Sequence, residues 1–168
     1  REASEVVEHA QSVGADASLR VTPYYNKPSQ DGLFQHFSEI ANSVPSLPIY
    51  LYNIPGRSVV NINHDTMSML SKIDNIVGVK DATSDLSLPL ETKLNCGEEF
   101  IQLSGEDATF LSFLINGGEG CISVSANVVP KLCSRIYTYW KEGKSKEAME
   151  INELIYALNK DLFVDSSP

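Results

Sequence analysis

Ile76-Val77-Gly78-Val79-Lys80-Asp81 is a short apolar run that ends abruptly in charge. Its length and β-branched content predict a strand, buried and parallel to its neighbours. Four runs of the same kind flank it: Leu19-Arg20-Val21-Thr22, Ile49-Tyr50-Leu51-Tyr52, Phe100-Ile101-Gln102-Leu103 and Cys121-Ile122-Ser123-Val124. Their starts, at 19, 49, 76, 100 and 121, are spaced by 30 to 21 residues, the size of a βα unit. The intervening stretches carry helical periodicity. Phe34, Phe37, Ile40 and Ala41 share one face, as do Met67, Leu70 and Ser71, and later Leu132, Ile136 and Tyr139. Two further helical stretches, 128–142 and 144–160, follow the last run, and their charged residues read as solvated surface. No hairpin signal and no repeat stands out. The pattern predicts an α/β domain, either an open doubly wound sheet or part of a (β/α)8 barrel.

Charge narrows the function classes. The chain has 168 residues and a formal net charge of -9, which repels a phosphate backbone and argues against nucleic-acid binding. A small anionic substrate is still compatible, because Arg20, Arg57 and Lys80 supply local positive charge. No stretch approaches the roughly 20 apolar residues of a membrane span. Cys96, Cys121 and Cys133 are odd in number and none pairs at CxxC spacing, which predicts reduced thiols in a cytoplasmic protein, with Cys121 a small buried apolar group. His9, His36 and His64 are scattered and predict exposed positions without a metal-ligand pattern. The first residues, Arg1-Glu2-Ala3-Ser4-Glu5, read as a helix already under way, and Ser166-Ser167-Pro168 as mid-loop. The expectation is a piece of a longer protein.

In parallel α/β folds the C-terminal strand ends face the site. Here they are Thr22-Pro23-Tyr24-Tyr25-Asn26, Tyr52-Asn53-Ile54-Pro55-Gly56-Arg57, Lys80-Asp81, Ser104-Gly105-Glu106-Asp107, and the segment with Ser123 and Ser125. Lys80 stands out. A lysine that continues a β-branched strand is partly desolvated, which favours the neutral amine, and a neutral amine attacks a ketone to form an imine. The competing reading is a strand-capping lysine paired with Asp81 or Asp85. Tyr52 ends a neighbouring strand, where a phenol can shuttle protons or simply pack its ring. Arg57 follows in a Pro-Gly turn, suited to a bidentate grip on a substrate carboxylate or to plain solvation. Gly117-Gly118-Glu119-Gly120 follows a helix and precedes a strand. That is the reverse of a phosphate-cradling loop and predicts a helix C-cap and tight turn.

Five blocks together resemble the dihydrodipicolinate synthase family of the N-acetylneuraminate lyase superfamily. They are Val21-Thr22-Pro23-Tyr24-Tyr25-Asn26-Lys27-Pro28-Ser29-Gln30-Asp31-Gly32, Leu51-Tyr52-Asn53-Ile54-Pro55-Gly56-Arg57, Gly78-Val79-Lys80-Asp81-Ala82-Thr83, Leu103-Ser104-Gly105-Glu106-Asp107 and Gly118-Glu119-Gly120-Cys121-Ile122-Ser123-Val124-Ser125-Ala126-Asn127. They occur in family order and run through essentially the whole chain. The resemblance implies a (β/α)8 barrel, with residues 1–168 as the partial domain from its fourth to its eighth strand. It implies a class I aldolase that condenses pyruvate with aspartate semialdehyde in lysine biosynthesis. Lys80 matches the Schiff-base lysine and Tyr52 the proton-relay tyrosine. Tyr25 matches a relay tyrosine contributed by a neighbouring subunit. Arg57 matches the arginine that holds the semialdehyde carboxylate, and Gly105 and Ile122 match backbone positions lining the pyruvate pocket. Glu2 and Tyr24 match residues that bind the feedback inhibitor lysine at a subunit interface. A homotetramer of tight dimers and a reaction without metal or organic cofactor are implied as well.

Two departures stand out. Asp81 occupies a position where a glutamate is common in the family. The family's paired threonines, which complete the relay, belong to a Gly-Thr-Thr-Gly-Glu-like segment that does not occur in the chain. By the family's pattern, strands one to three lie before Arg1 and the last helices after Pro168. Two rival readings remain: a sister pyruvate-dependent aldolase acting on sialic or keto-deoxy sugars, and a catalytically inactive fragment.

Overall fold

The computed structural model describes residues 2–165; Arg1 and the predicted mid-loop segment Ser166-Ser167-Pro168 lie outside the described residues. The chain alternates helix and strand: α1 (Glu2–Ser12), β1 (Ser18–Val21), α2 (Gln30–Ser43), β2 (Ile49–Asn53), α3 (Pro55–Ser58), α4 (His64–Leu70), β3 (Ile76–Asp81), α5 (Leu88–Cys96), β4 (Ile101–Ser104), α6 (Phe110–Ile115), β5 (Gly120–Cys121), α7 (Pro130–Lys141) and α8 (Ser145–Asp161). Short 3-10 turns precede α6 and follow β5, at Asp107–Thr109 and Ser125–Asn127. Local chemistry starts the helices. Ser29 caps α2 by accepting from the Gly32 N–H, and Asn63 caps α4 by accepting from the Thr66 N–H.

The five strands form one parallel sheet in the order β1-β2-β3-β4-β5. Every crossover therefore steps in the same direction. Since parallel crossovers are right-handed, a constant direction places all the helices on one face. A doubly wound sheet reverses direction and is covered on both faces. Of the two predicted architectures, the strand order thus selects the barrel. Burial agrees. Ile49, Leu51 and Val79 point outward and are at most 2% exposed, packed under Leu33, Phe37, Ile40 and Val44. On the opposite face Leu19 and Val21 remain about 40% exposed. That concave face is the barrel interior side. A second cluster, around Phe110, Leu111, Ile136 and Ile155, joins α6, α7 and α8.

Gly78 is dictated by strand packing. A Cβ placed there would lie 2.3 Å from the Ile101 carbonyl oxygen on β4. Backbone cannot yield as a flexible side chain does. We expect Gly78→Ala to destabilise the protein by roughly 3 kcal/mol, read by chemical denaturation of a full-length protein carrying this chain. Gly117, with φ of 103°, follows α6 and donates its N–H to the Leu114 carbonyl, so the glycine cluster is the expected helix end and turn.

The expected α2 face of Phe34, Phe37, Ile40 and Ala41 packs into the core under the sheet, joined by buried Leu33 one turn before Phe37, with Phe34 half-buried at its edge. Two other expectations need correction. His9 is exposed as expected, but His36 and His64 are half-buried. His36 packs edge-on against Phe37, and His64 pairs with Glu91 of α5. The last strand is two residues rather than four. Beyond Cys121 only Ile122 still donates to the β4 backbone, and the next donors turn to Asp107 instead. β1 and β5 are the outer strands of the sheet.

Candidate active site

Strand register assembles the site. Val21 pairs with Tyr52, Tyr52 with Lys80, Lys80 with Leu103, and Leu103 with Gly120. Side chains alternate along a strand, so these residues form one row across the concave face. Lys80 and Tyr52 are half-buried in it, and the Lys80 Nζ lies 4.1 Å from the centre of the Tyr52 ring. In the ammonium form that contact is a cation–π interaction, worth on the order of 1 kcal/mol.

The carboxylates that a strand-capping lysine would use are committed elsewhere. Asp81 accepts from the Thr83 N–H at 2.8 Å and the Thr83 hydroxyl at 2.7 Å, and Asp85 accepts from both donors of Ser87. Burial raises the Asp81 carboxyl above its usual range, against the pull of the Thr83 bonds. The capping alternative is therefore not what the geometry shows.

Gly105 opens the space beside Lys80. Its N–H donates to the Asp81 carbonyl, and a Cβ there would come 2.7 Å from the Ala82 Cβ and 3.0 Å from the Lys80 Cε. Any larger residue would push into the lysine stem. One step past the Ser104–Cys121 pair, Ile122 donates its N–H to the carbonyl of Ser104, the residue before Gly105, and is 40% exposed.

Arg57 belongs to the single turn α3 and, with Tyr52, Tyr24, Leu19 and Val21, lines an open cavity of about 440 Å³. Its loop is held from beneath. Buried Asn53 accepts from the Ile62 N–H and donates to the Asn61 side chain, while Gln30 of α2 donates to the Asn61 carbonyl and accepts from the Asn63 N–H. Val59 caps α3 at φ of 63°, a strained conformation for a β-branched residue.

Glu2 and Tyr24 share a different cavity, of about 450 Å³, with Arg20 and His36. Burial, then the neighbouring Arg20 charge, lowers the His36 imidazole below its usual range. Tyr25 is 93% exposed and borders this second cavity, so the chain by itself does not bring Tyr25 to Lys80 or Tyr52.

A third cavity, of about 380 Å³, lies between β5 and helices α7 and α8 and is bordered by Cys121 and Cys133. It is not poised for thiol chemistry. Burial first, and then Asp107, pushes the Cys121 thiol up to about 12. Among the described residues, no group of three His, Cys, Asp or Glu is placed to hold a metal, and no helix is long and apolar enough to cross a membrane.

Asn53 and Asp107 stand within the strand-end blocks, but their residue types alone mark no role for either. Both are buried polar side chains that tie down loops. The only signal was a polar residue beside a strand end, and nothing local separates an inward-turned carboxylate from a solvated one.

The whole chain, residues 1–168, matches the model of the dihydrodipicolinate synthetase family. It is 51% identical over 168 residues to the 4-hydroxy-tetrahydrodipicolinate synthase of Acidiphilium cryptum, covering all of this chain and 57% of that protein. Among solved structures, the chloride-inhibited dihydrodipicolinate synthase of Acinetobacter baumannii complexed with pyruvate is similar with a TM-score of 0.95 at 42% identity, covering 100% of this chain and 57% of that one. The enzyme of Cyanidioschyzon merolae with lysine bound is similar with a TM-score of 0.96 at 36% identity, covering 99% of this chain and 57% of that one. The chain thus spans little more than half the length of the relatives it matches. A sheet whose order already required a barrel superposes on the corresponding part of these barrels, and with the family model matched from end to end, the chain belongs to the dihydrodipicolinate synthetase family and forms part of its (β/α)8 barrel.

Proposed function

We propose that the full-length protein carrying this chain is a 4-hydroxy-tetrahydrodipicolinate synthase that condenses pyruvate with aspartate semialdehyde through a Schiff base on Lys80. The observation that carries this reading is the Lys80–Tyr52 register pair on the concave face, with no carboxylate of the same loop engaged by the lysine.

The Lys80 amine attacks the pyruvate ketone and, with loss of water, leaves an iminium. The iminium withdraws electrons, so loss of a methyl proton gives an enamine without a metal or an organic cofactor. The enamine carbon then attacks the aldehyde. Tyr52 moves protons at the nitrogen and at the new alkoxide. Arg57 grips the semialdehyde carboxylate, and the backbone at Gly105 and Ile122 walls the pyruvate end. Tyr25, 93% exposed, suits a residue that completes the relay of a neighbouring subunit within a homotetramer. Glu2 and Tyr24, together on one cavity, suit a site for feedback by lysine, whose ammonium an acidic group accepts. Three cysteines without CxxC spacing suit the cytoplasm.

The test is borohydride reduction of the full-length protein with pyruvate, followed by peptide mass spectrometry. A reduced pyruvyl adduct on Lys80 is expected. Soluble, folded protein with Lys80 unmodified would sink the proposal.

A further inference from the structure

We infer that Asp107 is a positioning residue for the Lys80 pocket: its carboxylate sets the path of the chain after β5 and thereby the place of Ile122 beside Gly105. The inference rests on the Schiff-base reading of Lys80 and deepens it.

Asp107 is 7% exposed, and among the described residues the hydrogen bonds to its carboxylate come from one short stretch. Oδ1 accepts from the Ser123 hydroxyl. Oδ2 accepts from the Val124 N–H at 2.8 Å and the Ser125 N–H at 3.1 Å. The Ser123 oxygen in turn accepts from the Ala126 N–H at 2.8 Å, closing the turn on itself. Among the described residues no lysine or arginine pairs with Asp107, so the buried charge is held by these oriented donors. That commitment is why β5 stops at Cys121. The donors that would continue the strand ladder are turned toward the carboxylate instead.

Ile122 is caught between two fixed points. Behind it, its own N–H still donates to the Ser104 carbonyl at 2.9 Å. Ahead of it, Asp107 holds the next three residues. Ile122 is thus tied to the residue before Gly105, where a Cβ would stand 3.0 Å from the Lys80 Cε. A loop that slips after Cys121 therefore moves a wall of the space in which the ketone must meet the amine. The far side of the loop is also tied, because the Ser125 hydroxyl donates at 2.6 Å to Asn159 of α8, both side chains being buried. Asp107 itself lines the cavity bordered by Cys121 and Cys133, not the row that holds Lys80. It acts through the backbone it holds.

The experiment uses the full-length protein and measures the rate of borohydride trapping at Lys80 as a function of pyruvate concentration, alongside the KM for the semialdehyde. Asp107→Asn leaves one acceptor oxygen where two served three donors, and it removes the charge that strengthens those bonds. The pyruvate concentration for half-maximal trapping should rise about tenfold while the semialdehyde KM stays within about twofold, since misplacement of one wall penalises one substrate. Amide exchange at Val124 and Ser125 should quicken in the same variant. Unchanged pyruvate dependence, or equal shifts for both substrates, would mean a merely structural role and overturn the proposal. If Asp107→Asn does not fold, Ser123→Ala removes one bond to the carboxylate together with the bond that Ser123 accepts from the Ala126 N–H. It should shift pyruvate alone by about threefold, and no shift again overturns the proposal. A wild-type protein that traps no pyruvate at Lys80 defeats the Schiff-base reading and this inference together. Trapping by wild type with neither variant shifted defeats only the role of Asp107.

Discussion

Lys80→Arg in the full-length protein should lower the condensation rate by roughly 10³-fold or more and abolish the borohydride-trapped adduct. Arginine keeps the positive charge and can still lie over the Tyr52 ring, the contact seen at 4.1 Å for the lysine. It loses one property, a nitrogen that becomes a free nucleophilic amine. The variant therefore separates charge from chemistry. If the row Val21-Tyr52-Lys80-Leu103 only needed a cation to fill it, Lys80→Arg would retain most of its activity. A coupled assay that follows product formation, with a thermal melt to show that the barrel persists, reads the difference. Activity within about tenfold of wild type would rule out the Schiff base as the main route.

Arg57→Ala should raise the semialdehyde KM by about 30- to 100-fold, the loss of a charge-assisted, bidentate hydrogen bond of about 2–3 kcal/mol. Trapping of pyruvate on Lys80 should stay within about twofold, because Arg57 stands on α3, beside Tyr52 but a strand removed from the lysine. The split matters more than the magnitude. Arg57 is exposed, so its removal costs the core little, and α3 keeps its own backbone bonds, such as that from the Ser58 N–H to the Ile54 carbonyl. Steady-state kinetics in the semialdehyde, set beside single-turnover trapping with pyruvate alone, resolves the two steps. Equal damage to both would reassign Arg57 from second-substrate recognition to general support of the pocket. The same split bears on the sister-aldolase reading, in which Lys80 and Tyr52 serve without a carboxylate grip at this turn.

Much of this site was legible before any fold was known. Lys80, Tyr52 and Arg57 stand out in the sequence because strand ends in parallel sheets collect chemistry, and the blocks around them match one family in order. What could not be read was the company each residue keeps. Asp81 sits next to Lys80 in the chain yet turns its carboxylate to Thr83. Tyr52 lies 28 positions earlier and is the residue against the amine, because register across β2 and β3 sets the neighbours, not distance along the chain. Asp107 was one of two adjacent acids after β4. Only the fold shows that it is buried against the loop after β5 while Glu106 caps the 3-10 turn by accepting from the Ala108 N–H.

By itself the sequence determined the alternation of helices and strands, the family and the candidate nucleophile. These follow from apolar periodicity, turn chemistry and ordered motifs, all of which are local in the chain. The tertiary structure decided the rest. It chose barrel over doubly wound sheet through the strand order, ended β5 at Cys121 and placed the Lys80 amine over Tyr52. Each of those outcomes depends on pairings between residues tens of positions apart. Such pairings are set by packing of the whole sheet against its helices, and no window of sequence contains them.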